Sequence, residues 1–130
     1  MRKRKFWGWG YADELLSAEE EKNIDSRIAK TFQLDDIETL PIPKVEDIDL
    51  PKPRLVAPST LVKVISEDKE ERLNHTYGKS FPDAARSLLR DFSSPPDLVA
   101  FPNTEDELIN VMDWCDESNI AVIPYGGGSS

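Results

Sequence analysis

The segment Pro124-Tyr125-Gly126-Gly127-Gly128-Ser129-Ser130 holds the residues best suited to chemistry, and it directly follows the apolar run Ile120-Ala121-Val122-Ile123. Three consecutive glycines after a strand have a physical use. Without Cβ atoms the backbone can take positive φ and bring several N–H groups close to a bound anion. Ser129 and Ser130 add hydroxyl donors, so a phosphate or pyrophosphate is the natural ligand. A glycine-serine run is also what a flexible turn or linker looks like. Its place directly after a parallel strand favours the phosphate reading. The glycines do not form the G-x-G-x-x-G of a Rossmann fingerprint. The lysine of a Walker A loop would have to lie beyond Ser130.

The elements that must position this loop are legible upstream. Leu98-Val99-Ala100-Phe101 reads as a buried strand closed by Pro102, and Thr104 with Glu107 caps a helix whose apolar face is Leu108, Val111, Met112 and Cys115. Asn119 suits the left-handed helix end, and Ile120–Ile123 reads as a second buried strand. Strand, helix and strand in this span predict a right-handed βαβ crossover with parallel strands. Ser80 with Asp83 opens another helix, with Ala85, Leu88, Leu89 and Phe92 as one stripe, and Ser93-Ser94-Pro95-Pro96 ends it. Asp68 to Asn74 makes a helical turn, and Leu61 to Ile65 is a short apolar run.

Ser17 and Glu20 form a capping box for a helix of three to four turns with Ile24, Ile28 and Phe32 on its buried side. From Asp35 to Pro58 the prolines 41, 43, 51, 53 and 58 block helix and ladder alike, so this stretch reads as an extended connector. A connector this long is expected to lie over a larger body. The expected organisation is an aromatic arm, helix and connector over 1–58, a helical lead-in over 59–94, and an α/β unit from 95 to 130.

The remaining candidates have plainer readings. His75 is the one histidine, with no second histidine or cysteine pair beside it, and is expected to be structural or at the surface. Cys115 sits on an apolar stripe, which predicts a buried, inert thiol. Glu19-Glu20-Glu21 suits the start of a helix dipole rather than a metal. Neither a catalytic residue nor a metal ligand is assigned. Trp7, Trp9 and Tyr11 are read as packing aromatics of an N-terminal arm, with contact to a lipid surface through Arg2–Lys5 as the rival reading.

The net charge is −9, and without Arg2, Lys3, Arg4 and Lys5 the rest carries 12 basic against 25 acidic residues. Such a body repels nucleic-acid phosphates, so no nucleic-acid partner is expected. A single cysteine excludes an intrachain disulfide, and no apolar run approaches the ~20 residues of a membrane span. The basic start leads into Asp13 and Glu14 without an apolar signal core, so the expected location is cytoplasmic, with membrane-peripheral contact as a variant.

Three stretches carry a resemblance to a known family. Pro95-Pro96-Asp97-Leu98-Val99-Ala100-Phe101-Pro102, the helix after it, and Ile120 through Ser130 resemble the opening of the vanillyl-alcohol-oxidase-type (PCMH-type) FAD-binding domain. Trp7-Gly8-Trp9-Gly10-Tyr11 and Arg72-Leu73-Asn74-His75-Thr76-Tyr77-Gly78-Lys79-Ser80 are similar to stretches of the alkylglycerone-phosphate synthase (alkyldihydroxyacetonephosphate synthase) family. Lys79 stands where animal members carry histidine, so no role transfers there. The resemblance implies an α/β (α+β) fold, FAD as cofactor, and Pro124, Tyr125, Gly126, Gly127, Gly128, Ser129 and Ser130 as cofactor-binding residues.

It further implies that this chain is the N-terminal fragment of a longer enzyme and is inactive alone. The intact enzyme would exchange a fatty alcohol for the acyl chain of an acyl-glycerone phosphate, forming an ether lipid. In the family the flavin is a transient covalent partner without net redox change. The substrates would be small lipids, and the enzyme a homodimer. Two other readings stand beside it: a flavin oxidoreductase of the same superfamily, such as a 2-hydroxy-acid or D-lactate dehydrogenase, and a complete, non-catalytic phosphate-binding module.

Overall fold

A computed structural model describes residues 2–128. In chain order it contains α1 (Ala18–Phe32), a short 3-10 turn (Val45–Asp47), β1 (Ile65–Ser66), α2 (Lys69–Asn74), α3 (Phe81–Leu88), β2 (Val99–Ala100) and α4 (Glu105–Glu117). The two strands pair antiparallel, Ile65 opposite Ala100 and Ser66 opposite Val99. The Phe101 amide extends the ladder by donating to the Val64 carbonyl at 2.7 Å. The class is α/β, as expected: helices set around a small sheet.

The helix starts follow their local codes. Ser17 and Glu20 form the full capping box, each side chain bonding the other's backbone N–H. The Asp68 carboxylate accepts from the Glu70 and Glu71 amides, and the Thr104 hydroxyl accepts from the Glu107 amide. Around Ser80 the bond differs: its hydroxyl donates to the Asp83 carboxylate at 2.6 Å, and no side chain caps the α3 backbone.

The helix ends obey geometry that hydrophobic periodicity does not encode. Gln33, Arg90 and Asn119 all adopt left-handed φ. In each case the next amide reaches back five residues: Leu34 to Ala29, Asp91 to Arg86 and Ile120 to Cys115. Asn119 is the cap expected from sequence. Arg90 corrects a reading. The helix ends at Leu88 instead of running on to the Ser93–Pro96 stop, Leu89 is exposed, and the turn swings Phe92 into the core.

Two small cores result. Phe6, Ile48, Leu73 and Phe92 form one, flanked by Trp7, Val45, Leu50 and Tyr77. Leu61, Val64, Val111 and Cys115 form the other, flanked by Ile65, Trp114 and Ile120. Burial of the Cys115 thiol pushes its pKa up, as suits an inert side chain. The proline-rich connector supplies Ile48, Leu50 and the fully buried Pro43, so part of the surface it lies on belongs to this same chain.

Two polar clamps hold the connector. Arg72, 4% exposed, donates to the carbonyls of Pro96 and Pro51, both at 2.8 Å. Arg54 grips Asp97 through its backbone N–H at 2.8 Å, its Nε at 3.1 Å and its terminal nitrogen at 2.6 Å. The hydrogen bond from the Arg54 guanidinium holds the Asp97 carboxyl below the usual aspartate value of about 3.9. A carboxylate depressed in the folded state stabilises above its unfolded value and loses that contribution as pH falls through its folded one. The stability gap between the parent chain and Asp97→Asn should therefore be constant above about pH 5 and shrink below about pH 4. Urea midpoints at pH 6 and pH 3 check this, and an equal gap at both would count against it.

Two expectations are corrected. The stripe Ile24, Ile28 and Phe32 of α1 is not buried in this chain, and no residue of that helix is. An amphipathic pattern records which face can be covered but names no partner. Among the described residues Ile120–Ile123 forms no strand, so the parallel pair with β2 is absent. Ile120 packs on the α4 core, Val122 is exposed, and Ile123 is 85% exposed. β2 takes the nearby antiparallel partner at 65–66 instead.

Candidate functional site

The glycine loop is reached from Ile120 through a segment that Tyr125 attaches to the rest of the chain. Its hydroxyl lies 3.1 Å from the Asn74 carbonyl and 3.3 Å from the Tyr77 carbonyl, at the end of α2 and the turn into α3. The tyrosine ring lies against His75, centroids 4.6 Å apart at 59°. His75 is fixed in turn by a 2.7 Å contact from Nδ1 to the Glu71 carbonyl and by the edge of Phe101 at 5.6 Å. His75 is thus a packed residue beneath the loop.

The three glycines differ from one another. Gly128 has φ of 67°, and a Cβ there would lie 2.2 Å from the Tyr125 hydroxyl, so both backbone and space require glycine. Gly126 and Gly127 have no left-handed φ, and a Cβ on either would meet none of the described residues within 4 Å. The expectation of positive φ thus holds for one glycine of the three. Neither Gly126 nor Gly127 donates a backbone hydrogen bond among the described residues. Their bare, open backbone fits an anion approaching from outside the chain. Pro124 is exposed beside them, and Ser129 and Ser130 lie outside the described residues.

Sequence reasoning missed how the N-terminal arm meets this region. Lys79, to which no role transferred, donates to the Phe6 carbonyl at 3.0 Å. Burial lowers its pKa, with Asp83 opposing that shift and Arg4 adding to it. The Tyr125 phenol is raised, first by burial, and it senses the same Arg4 and Asp83 charges. Arm, α2–α3 turn and loop therefore converge. Phe6 and Trp7 pack edge to face at 5.2 Å, while Trp9 stays exposed. Arg2 pairs with Asp13 and Glu14, and Lys3 pairs with Glu70. No pattern in the sequence marks a lysine for a carbonyl 73 residues away.

Known proteins are similar to this chain over most of its length. Alkyldihydroxyacetonephosphate synthase of Dictyostelium discoideum is 31% identical over 106 residues, 78% of this chain and 17% of that protein. The synthase of Trypanosoma brucei brucei is 29% identical over 91% of this chain and 19% of its own length. The chain belongs to the alkylglycerone-phosphate synthase-like family.

A solved structure of alkyldihydroxyacetonephosphate synthase superposes with a TM-score of 0.77 at 22% identity, covering 98% of this chain and 28% of that one, which shows the shared fold. A mitochondrial D-lactate dehydrogenase of Saccharomyces cerevisiae is 24% identical over 95% of this chain and 22% of its own length. No protein-family model matches. The chain thus spans about a fifth of the length of these curated relatives, all of which are enzymes. Among the described residues no helix is long and apolar enough to cross a membrane, and no cluster of His, Cys, Asp and Glu could hold a metal ion.

Proposed function

We propose that the Pro124–Ser130 loop cradles the pyrophosphate of FAD in a longer enzyme that exchanges a fatty alcohol for the acyl chain of an acyl-glycerone phosphate. The observation that carries this reading is the pair Gly126 and Gly127. Nothing among the described residues demands glycine there, which supports a demand set by a ligand. The family supplies the ligand's identity and the reaction. When bound, FAD supplies the reactive isoalloxazine ring.

This chain's own residues bind and orient. The open Gly126 and Gly127 backbone would receive the anion, Gly128 makes the turn, and α2 with His75 supports the loop from below. The chain contributes no reacting side chain and is expected to be inactive alone.

A second reading, flavin-linked oxidation of a 2-hydroxy acid, is supported by the similarity to D-lactate dehydrogenase. The extent of alignment does not separate the two, because that enzyme covers as much of the chain as the synthases do. Assay of the full-length protein does. Incorporation of labelled fatty alcohol into acyl-glycerone phosphate without an electron acceptor is expected. Dye reduction by D-lactate, with no alcohol incorporated, would replace the first reading by the second.

A further inference from the structure

We infer that Tyr125 is a positioning residue, a latch that fastens the glycine loop to the turn between α2 and α3 and holds it in the shape that receives a dinucleotide phosphate. The inference deepens the cradle reading and rests on it.

The tyrosine hydroxyl is already committed. It has one proton and faces two carbonyl acceptors, those of Asn74 and Tyr77 at 3.1 and 3.3 Å. Carbonyls at a helix end lack intrahelical partners, so a donor arriving there satisfies groups that would otherwise need one. Its ring is stopped by His75, which Glu71 and Phe101 hold in place. Gly128 passes so near the phenol that only a residue without Cβ fits. The loop thus closes over the latch while Gly126 and Gly127 remain open. Burial favours the protonated phenol, which keeps the hydroxyl a donor.

The latch also connects distant parts. Tyr77 and Lys79 belong to one turn, and Lys79 binds the carbonyl of Phe6 in the aromatic arm. Loop position is therefore tied through this turn to the arm, which explains why a tyrosine precedes the glycines without having to touch the ligand.

The test uses the full-length protein. Tyr125→Phe keeps the ring against His75 and removes the one donor. The Kd for FAD should rise about tenfold, the scale of one to two hydrogen bonds. Amide exchange at residues 126–128 should quicken, while exchange of the α2 and α3 amides in the flavin-free protein stays unchanged. Tyr125→Leu, which loses the ring contact as well, should weaken FAD further.

Gly127→Leu serves as the control for the cradle itself. If that variant keeps full FAD affinity, the cradle reading fails and the latch with it. If it releases FAD while Tyr125→Phe binds like the parent, the latch alone is overturned. Loss of FAD by Tyr125→Phe together with quickened exchange throughout α2 and α3 would also overturn it, since the hydroxyl would then serve only the fold.

Discussion

Gly127→Leu in the full-length protein should leave the fold intact and strip it of flavin. A Cβ at this position meets open space, so no neighbour is displaced and the melting temperature of the flavin-free protein should hold. A bulky side chain would, however, stand between the loop amides and an approaching phosphate. Each hydrogen bond to a charged group contributes about 1.5–3 kcal/mol. Losing two corresponds to a hundredfold or greater rise in Kd. Flavin fluorescence titration of the apoprotein reads the effect directly. Unchanged affinity would remove the phosphate assignment.

Gly128→Ala should behave differently. Here the added Cβ strikes the Tyr125 hydroxyl and the backbone sits in the left-handed region, so the loop itself must shift. The contrast between neighbouring glycines separates one required by the chain from one required by a ligand.

Arg72→Met carries the largest expected cost to the fold. The substitution keeps an unbranched stem of similar length but removes the buried guanidinium that bridges the Pro51 and Pro96 carbonyls. Two bonds from a charged donor are lost and two carbonyls lose their partner, a destabilisation of about 3–5 kcal/mol. Denaturant unfolding of the chain, followed by its midpoint at constant slope, measures this. Arg54→Ala is the counterpart. Its side chain is 84% exposed, and a solvent-screened pair of that kind is worth at most about 1 kcal/mol. Equal losses for the two arginines would contradict the view that burial sets the value of each clamp.

Much of the local structure was readable from neighbouring residues. Ser17 with Glu20 and Thr104 with Glu107 each start a helix where their spacing says one should start, and the helical turn expected from Asp68 forms as α2. Asn119 ends α4 in the left-handed conformation expected of it. Cys115 and Val111 are buried on the predicted face of α4, although Leu108 and Met112 on that face stay exposed. The loop was located by composition alone, because three glycines after an apolar run are a local signal. Which glycine serves the chain and which is left open was not legible. That depends on Tyr125 folding back onto carbonyls some 50 residues earlier.

The sequence by itself determined where helices begin, where the chain must turn, and where a run of glycines leaves the backbone bare. All three follow from interactions within a few residues of one another. Tertiary structure decided which apolar faces are covered, which edge β2 pairs with, and what the buried Arg72, Lys79 and Tyr125 donate to. An apolar stripe or a lone donor specifies only a need for a partner. The α1 stripe stays exposed and Phe92 turns inward because partners are assigned by which surfaces the whole chain brings within contact distance.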